Sequence, residues 1–170
     1  MGLISDKGNL PIFVFLMPNN MKYHIAEINI AKMKGVDIND PIMKEFVDNL
    51  DLVNEIAESS DGFVWRLKDE SNNATSLNPY DDEQILINVS VWESIEQLEH
   101  FMYKTFHSDF LKRRKEWFLA YGTAHTAMWW VPAGHLPSLQ EAVDKLAYLQ
   151  KHGASPESFD FRNKFAAPSN

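Results

Sequence analysis

Between Ile85 and Trp92 every second residue is aliphatic: Ile85, Ile87, Val89 and Val91 alternate with Leu86, Asn88, Ser90 and Trp92. A period of two is the geometry of a strand with a buried face, because successive side chains leave a pleated chain on opposite sides. The same alternation runs from Tyr23 to Ala31, with Ala26, Ile28 and Ile30 on one side and Tyr23, Ile25, Glu27 and Asn29 on the other. Phe63–Leu67 and Thr126–Val131 read as two further strands. Strands must pair and must be covered, so the chain is committed to a sheet with helices laid against it.

The segments between the strands supply those helices. Asp40-Pro41 places an N-cap before a proline at the first helical position. Met43, Phe46, Val47, Leu50, Val53 and Ala57 then follow at helical spacing until Asp61-Gly62. Ser94-Ile95-Glu96-Gln97 reads as a capping box, opening a helix through Ile95, Leu98, Met102 and Phe106 to about Tyr121. A second box, Ser138-Leu139-Gln140-Glu141, opens a last helix to His152, with Gly153 as its C-cap. Lys68–Gln84 reads as a polar loop.

The order βαββαβ plus a terminal helix predicts an α+β, ferredoxin-like fold: a four-stranded antiparallel sheet with helices on one face. On the inferred register the second face carries Tyr23, Ile25, Val64, Leu86 and Trp92 together with Glu27, Asn29, Arg66, Asn88 and Ser90. A face this apolar does not sit bare in water. Pairing two such faces across a twofold axis covers both, so a homodimer is expected.

Charge and length narrow the function. Sixteen Lys+Arg against 24 Asp+Glu give a net charge of −8. That balance argues against nucleic acid and against an anionic membrane surface as partners. No apolar run approaches the roughly 20 residues of a membrane-spanning helix. Cysteine is absent, which excludes disulfides, thiolate metal sites and cysteine nucleophiles. Residues 21–170 read as one domain, and residues 1–20 as an N-terminal extension. Leu10–Met17 in that extension is apolar, but the Pro18-Asn19-Asn20 that ends it makes a poor signal-peptide cleavage site, so an added edge strand or upstream segment is expected. A cytoplasmic location is the default.

No nucleotide-binding glycine loop, zinc-protease motif or hydrolase nucleophile elbow is present, and no metal site is expected. The most informative stretch is Glu96–Phe118. As one continuous helix it places Glu96, His100, Tyr103, His107, Leu111, Arg114 and Phe118 on a single stripe, the mixture of titratable and apolar groups that lines a pocket. His107 could then carry a proton or ligate a metal axially. Arg114 could hold a carboxylate. Ser108-Asp109 could instead cap a new helix and break the stripe. Trp129 and Trp130, adjacent in a strand, face opposite sides, and the helix-side ring, with Trp117, could form a platform for a planar ligand. Asn29 and Asn88 read either as pocket hydrogen-bonders or as polar residues satisfied within a dimer. Phe159, Phe161 and Phe165 read as a plug at the domain edge.

A wider pattern is also visible: Trp92-x-Ser94, Phe101-x-Tyr103, His107, Arg113-Arg114-x-x-Trp117-Phe118, Trp129-Trp130-Val131-Pro132-Ala133-Gly134-His135-x-Pro137 and Phe159-x-Phe161-Arg162-x-x-Phe165-x-x-Pro168. As a set, over about residues 22–168, it resembles the domain of unknown function 3291 family. The resemblance implies the dimeric α/β-barrel superfamily, which includes antibiotic-biosynthesis monooxygenases and haem enzymes. Tyr103–Trp117 is also distantly similar to spheroidene monooxygenase, which implies haem, with His107 as axial ligand and Arg114 beside a propionate. Haem degraders of the superfamily carry their histidine further along the helix, where this chain has Leu111–Lys115.

Three functions follow as expectations. One is a monooxygenase-like enzyme with a pocket between sheet and helices. Its haem form uses His107, Arg114, Trp117 and Trp130; its cofactor-free form uses Asn29, Tyr103 or His107 to orient a hydrophobic or aromatic small molecule and accept its proton. The second is a non-catalytic small-ligand-binding dimer. The third is a structural dimer whose cleft is filled by its own side chains.

Overall fold

The computed structural model describes residues 21–169. The expectations for residues 1–20 lie outside the described residues. The strands are β1 (Tyr23–Lys32), β2 (Phe63–Arg66), β3 (Ile85–Trp92) and β4 (Thr126–Pro132). They form one four-stranded sheet in the order β2-β3-β1-β4, with every pairing antiparallel. Each strand stands where the alternation of its residues put it. The fold is α+β and ferredoxin-like, as expected from the element order.

The register fixes both faces of the sheet. Across β1 and β3, Ile25 lies opposite Trp92, Glu27 opposite Ser90 and Asn29 opposite Asn88. Across β1 and β4, Ile25 lies opposite Trp130, Glu27 opposite Met128 and Asn29 opposite Thr126. These residues share one face. It is the face covered by α2 (Leu50–Ser59) and α3 (Ile95–Lys104), whose Ala57, Ile95, Leu98 and Phe101 pack with Ile25, Trp92 and Met128.

The expected assignment of faces is therefore reversed. Of the residues expected at an uncovered seam, Ile25, Trp92 and Leu86 pack under the helical layer, Asn88 is exposed, and Val64 packs with the opposite face. That opposite face carries Ala26, Ile28, Ile30, Val89, Val91, Trp129 and Val131, and the chain covers it with its own last helix, Leu139–His152. Ala142, Leu146 and Leu149 of that helix are buried against the sheet. Leu77 and Tyr80, from the segment read as a plain polar loop, extend the cover. The apolar residues of this face are thus packed against elements of the same chain.

Both long helices of the sequence reading are broken. Asp40 caps as expected, its Oδ1 accepting from Ile42 N–H at 3.1 Å, but Pro41–Met43 form a 3-10 turn. The chain then continues as α1 (Lys44–Asp48) and α2, parted at Asn49. The second break decides more. Thr105 is extended (φ −107°, ψ −176°), so α3 stops at Lys104 and α4 (His107–Arg113) starts afresh. The Thr105 hydroxyl donates back to the Phe101 carbonyl at 2.6 Å and accepts from His107 N–H at 3.3 Å, satisfying groups that the missing turn would have paired. A second 3-10 turn, Arg114–Glu116, follows α4.

Both capping serines work, Ser94 accepting from Gln97 N–H and Ser138 from Glu141 N–H. The reciprocal half of each box is diverted. The Gln97 side chain meets the Ser94 hydroxyl and Asp61. Glu141 accepts from Trp129 Nε1 at 3.0 Å and pairs with His135 at 2.8 Å, tying the last helix, α5, to β4. Beyond α5 the tail returns to the sheet: Phe159 and Met128 exchange backbone hydrogen bonds of 2.9 and 2.7 Å. No helix among the described residues is long and apolar enough to cross a membrane.

Candidate functional site

Along the helix-covered face, the sheet changes character twice. At one end Ile25, Trp92 and Met128 join an apolar cluster with α2, α3 and Phe159. At the other, Leu86 joins Met33, Met43, Phe46, Phe110, Trp117 and Phe118. Between the two clusters, β1 presents Glu27 and Asn29, β3 presents Ser90 and Asn88, and β4 presents Thr126. The polar band lies within the seven residues from Leu86 to Trp92, about 20 Å at strand rise. Asn88 is exposed although it lies mid-strand. The Asn88 end of the band therefore reaches solvent, while Glu27 and Ser90 are buried.

The polar band is hydrogen-bonded within itself. Trp92 Nε1 donates to Ser90 Oγ at 3.0 Å, and Ser90 Oγ donates to Glu27 Oε2 at 3.3 Å. Glu27 is 3 % exposed. Burial pushes its carboxyl up to about 8, with the Ser90 hydrogen bond opposing the rise. At neutral pH this carboxyl is mostly protonated. Asn29 Nδ2 donates to Thr126 Oγ1 at 2.8 Å, which fixes the amide. Asn88 makes no side-chain hydrogen bond among the described residues, so its donor and acceptor are both free. Arg66, opposite Ser90 on β2, is buried, and its guanidinium is committed to Glu58 (2.8 Å) and Asn72 (3.2 Å).

The other residues expected at the site fall in several places. The break at Thr105 dissolves the proposed stripe: Tyr103 ends up 49 % exposed near Phe161, and Arg114 is an exposed residue whose Nη1 donates to the Leu111 carbonyl. Trp117 is buried beneath Arg113, whose guanidinium lies 5.0 Å from the ring centroid. Trp130 does face the helices, but its Nε1 donates to the Phe165 carbonyl at 2.8 Å, and it packs with the Phe159 cluster rather than with Trp117. The pair forms no shared platform. Arg114, Trp117 and Trp130 thus do not converge with His107 into a haem cradle.

His107 keeps a chemically useful state. Its ring lies 4.8 Å from that of Phe101, and Nδ1 meets the Met102 carbonyl at 3.3 Å. Burial lowers its pKa, so the neutral ring donates through Nδ1 and leaves the Nε2 lone pair unprotonated. Asn29 alone among the expected site residues lies in the polar band, together with Asn88, which had been read as its counterpart. Glu27 and Ser90 share the strand face expected of them, but that face lies under the helices and not at an uncovered seam. The available signal was a carboxylate between Ile25 and two further apolar-flanked positions of a central strand.

Two hollows, of about 220 and 250 Å³, lie away from the polar band. The first runs between Asp37 and Asn78, the second along Glu58 and Arg66. Both fall below the roughly 300 Å³ at which small-molecule pockets begin. Among the described residues no group of three or more His, Asp or Glu is placed to hold a metal ion.

The sequence profile of the domain of unknown function DUF3291 matches residues 24–170. The chain belongs to the DUF3291 family. The match begins at His24 in β1, so it spans the whole ferredoxin-like unit of this DUF3291 chain. Among curated proteins nothing matches. Among solved structures, SnoaB, a cofactor-independent oxygenase from Streptomyces nogalater, is 12 % identical, with 66 % of this chain and 95 % of that one covered at a TM-score of 0.43. The NE2512 protein of unknown function from Nitrosomonas europaea is 10 % identical, with 69 % and 98 % covered at a TM-score of 0.44.

Proposed function

We propose that the polar band on the helix-covered face of the sheet binds a planar, uncharged small molecule and supports a monooxygenase-like reaction that needs no haem. The observation that carries this reading is Asn88: a free, exposed amide in the middle of a strand, between two apolar clusters. Apolar walls bury the faces of a flat ligand, and a few placed polar groups orient it. Asn29 and Asn88 lie opposite each other on neighbouring strands, so their side chains stand about 5 Å apart at Cβ and can straddle one ring substituent. The band consists of acid–base and hydrogen-bonding groups, which suits removing a proton from an electron-rich aromatic so that oxygen reacts with the resulting anion.

The test is oxygen uptake with a panel of dihydroxynaphthalenes. Uptake faster than in buffer, and lost in Asn88→Ala, supports the reading. Saturable binding with no gain in uptake makes the protein a small-molecule carrier or sensor instead. No binding at all removes the band as a site.

A further inference from the structure

We propose that the hollow of about 250 Å³ along the outer edge of β2 binds a compact monocarboxylate, an aromatic or short-chain acid, whose carboxylate is held by Arg66 and Lys68. This site is separate from the polar band and does not depend on it.

β2 is an outer strand of the sheet, so one of its edges faces no other strand. Its pairing with β3 slips. Phe63 lies opposite Trp92 and Trp65 opposite Val91, two steps on β2 against one on β3. Val64 is the extra residue of a bulge, the device that bends an edge strand and re-aims the side chains beside it. The hollow follows this segment, lined by Glu58, Phe63, Val64, Trp65, Arg66 and Lys68. It is smaller than a drug-sized site and admits one ring or a short chain.

Arg66 carries the inference. It is 5 % exposed, and polar groups buried to that extent are normally saturated with partners. A guanidinium has five N–H donors in a fixed plane. Here Nε donates to Glu58 Oε1 at 2.8 Å and Nη2 to Asn72 Oδ1 at 3.2 Å, and Nη1 has no partner among the described residues. Nη1 is not sealed either. The fully enclosed, unpartnered side-chain polar atoms among the described residues are the two ring nitrogens of His24. The spare donors of Arg66 therefore open on the hollow that this residue lines.

A second cation converges on the same place. Lys68 Nζ donates to the same Asn72 oxygen at 3.3 Å and stands 3.9 Å from the same Glu58 oxygen. Asn72 serves both cations from φ +66°, a left-handed conformation that asparagine adopts more readily than most residues. Two cations against the one carboxylate of Glu58 leave a single positive charge in excess, which suits a monoanion better than a dianion. The planar fork of a guanidinium matches the two oxygens of a carboxylate. Phe63, Val64 and Trp65, all half-buried, give the rest of the lining an apolar surface. A carboxylate with an apolar body meets both parts of this lining, and an inorganic anion meets one.

The experiment is calorimetric titration of the full chain with benzoate, beside benzamide as its uncharged counterpart and sulfate as a dianion. Benzoate should bind saturably, benzamide should bind about tenfold more weakly or worse, and sulfate should not compete at equal concentration. Lys68→Gln, at an exposed position, should weaken benzoate by about two- to fivefold and leave the Tm unchanged. Arg66→Lys keeps the charge and loses the fork, so saturable binding should disappear. That variant also disturbs a buried ion pair, so the wild type supplies a direct reading. With 15N-labelled arginine, the Nε–H cross-peak missing from Arg66→Lys should move as benzoate is added and stay in place with benzamide. Benzoate that does not bind, binds no better than benzamide, or leaves that cross-peak unmoved overturns the site. Sulfate that competes as well as benzoate overturns the monocarboxylate as its ligand.

Discussion

Trp92 and Ser90, two residues apart on one face of β3, are joined by a 3.0 Å hydrogen bond from the indole nitrogen to the hydroxyl. The bond couples the stability of the sheet to the state of Glu27. Ser90→Ala removes the acceptor of a fully buried indole and the hydrogen bond that favours the Glu27 carboxylate. The cost expected from the stranded N–H is about 1–3 kcal/mol, read from urea denaturation. The Glu27 carboxyl should titrate still higher than in the wild type, read from its 13C resonance in protein labelled at the glutamate carboxyl.

Glu27 also sets a slope of stability against pH. Its folded pKa of about 8 lies above the ordinary value of 4.5, so between the two the folded chain holds a proton that the unfolded chain has lost. Stability relative to Glu27→Gln is fully present below about 4.5, falls as pH rises towards 8, and levels off above it. The total change expected is on the order of 5 kcal/mol. Denaturation midpoints of the two proteins measured across this range check it; parallel curves would mean that Glu27 titrates normally.

His107 acts in the opposite sense. Its folded pKa is lowered, so below the ordinary value of 6.5 the unfolded chain binds the proton more readily. Stability relative to His107→Phe should rise with pH through the interval ending near 6.5 and be flat beyond it. Phe preserves the ring contact with Phe101, which isolates the titration from the packing.

The tail is held by one buried ring. Phe159 is 0 % exposed and packs with Ile25, Met128 and Phe165. Phe159→Ala should cost about 3–5 kcal/mol in denaturant unfolding. Phe159→Leu should restore most of it, because the ring is a filler here and not a ligand contact.

Gly62 closes the turn before β2 at φ +78°, and a Cβ there would stand 2.1 Å from Gln97 Cδ. Gly62→Ala should therefore lower the Tm and loosen the entry to α3, whereas Gly122→Ala, with open space around it, should leave the Tm unchanged.

What the sequence made legible was local. The alternation in Ile85–Trp92 and Tyr23–Ala31 survives any surroundings, so the strands and which of their residues share a face followed from it. The serine caps were equally local. Ser108-Asp109 offered a break in this stretch, but its place at Thr105 was not legible, because threonine is an ordinary helix residue whose hydroxyl here satisfies the interrupted turn. With that break the stripe through Tyr103, His107 and Arg114 was lost. The choice of which face α5 covers depends on contacts far apart in sequence, so the faces were exchanged. That exchange turned Glu27 and Ser90 from supposed seam residues into buried members of the polar band.

Helix α5 has a consequence for how this chain meets dilution. Fourteen residues close the sheet's second face from within the same polypeptide, so folding of that face is a unimolecular event. Its unfolding midpoint should not move with protein concentration. A chain cut before Ser138 would uncover Trp129, Val131 and Ile28 at once, and would become a sticky, concentration-dependent species.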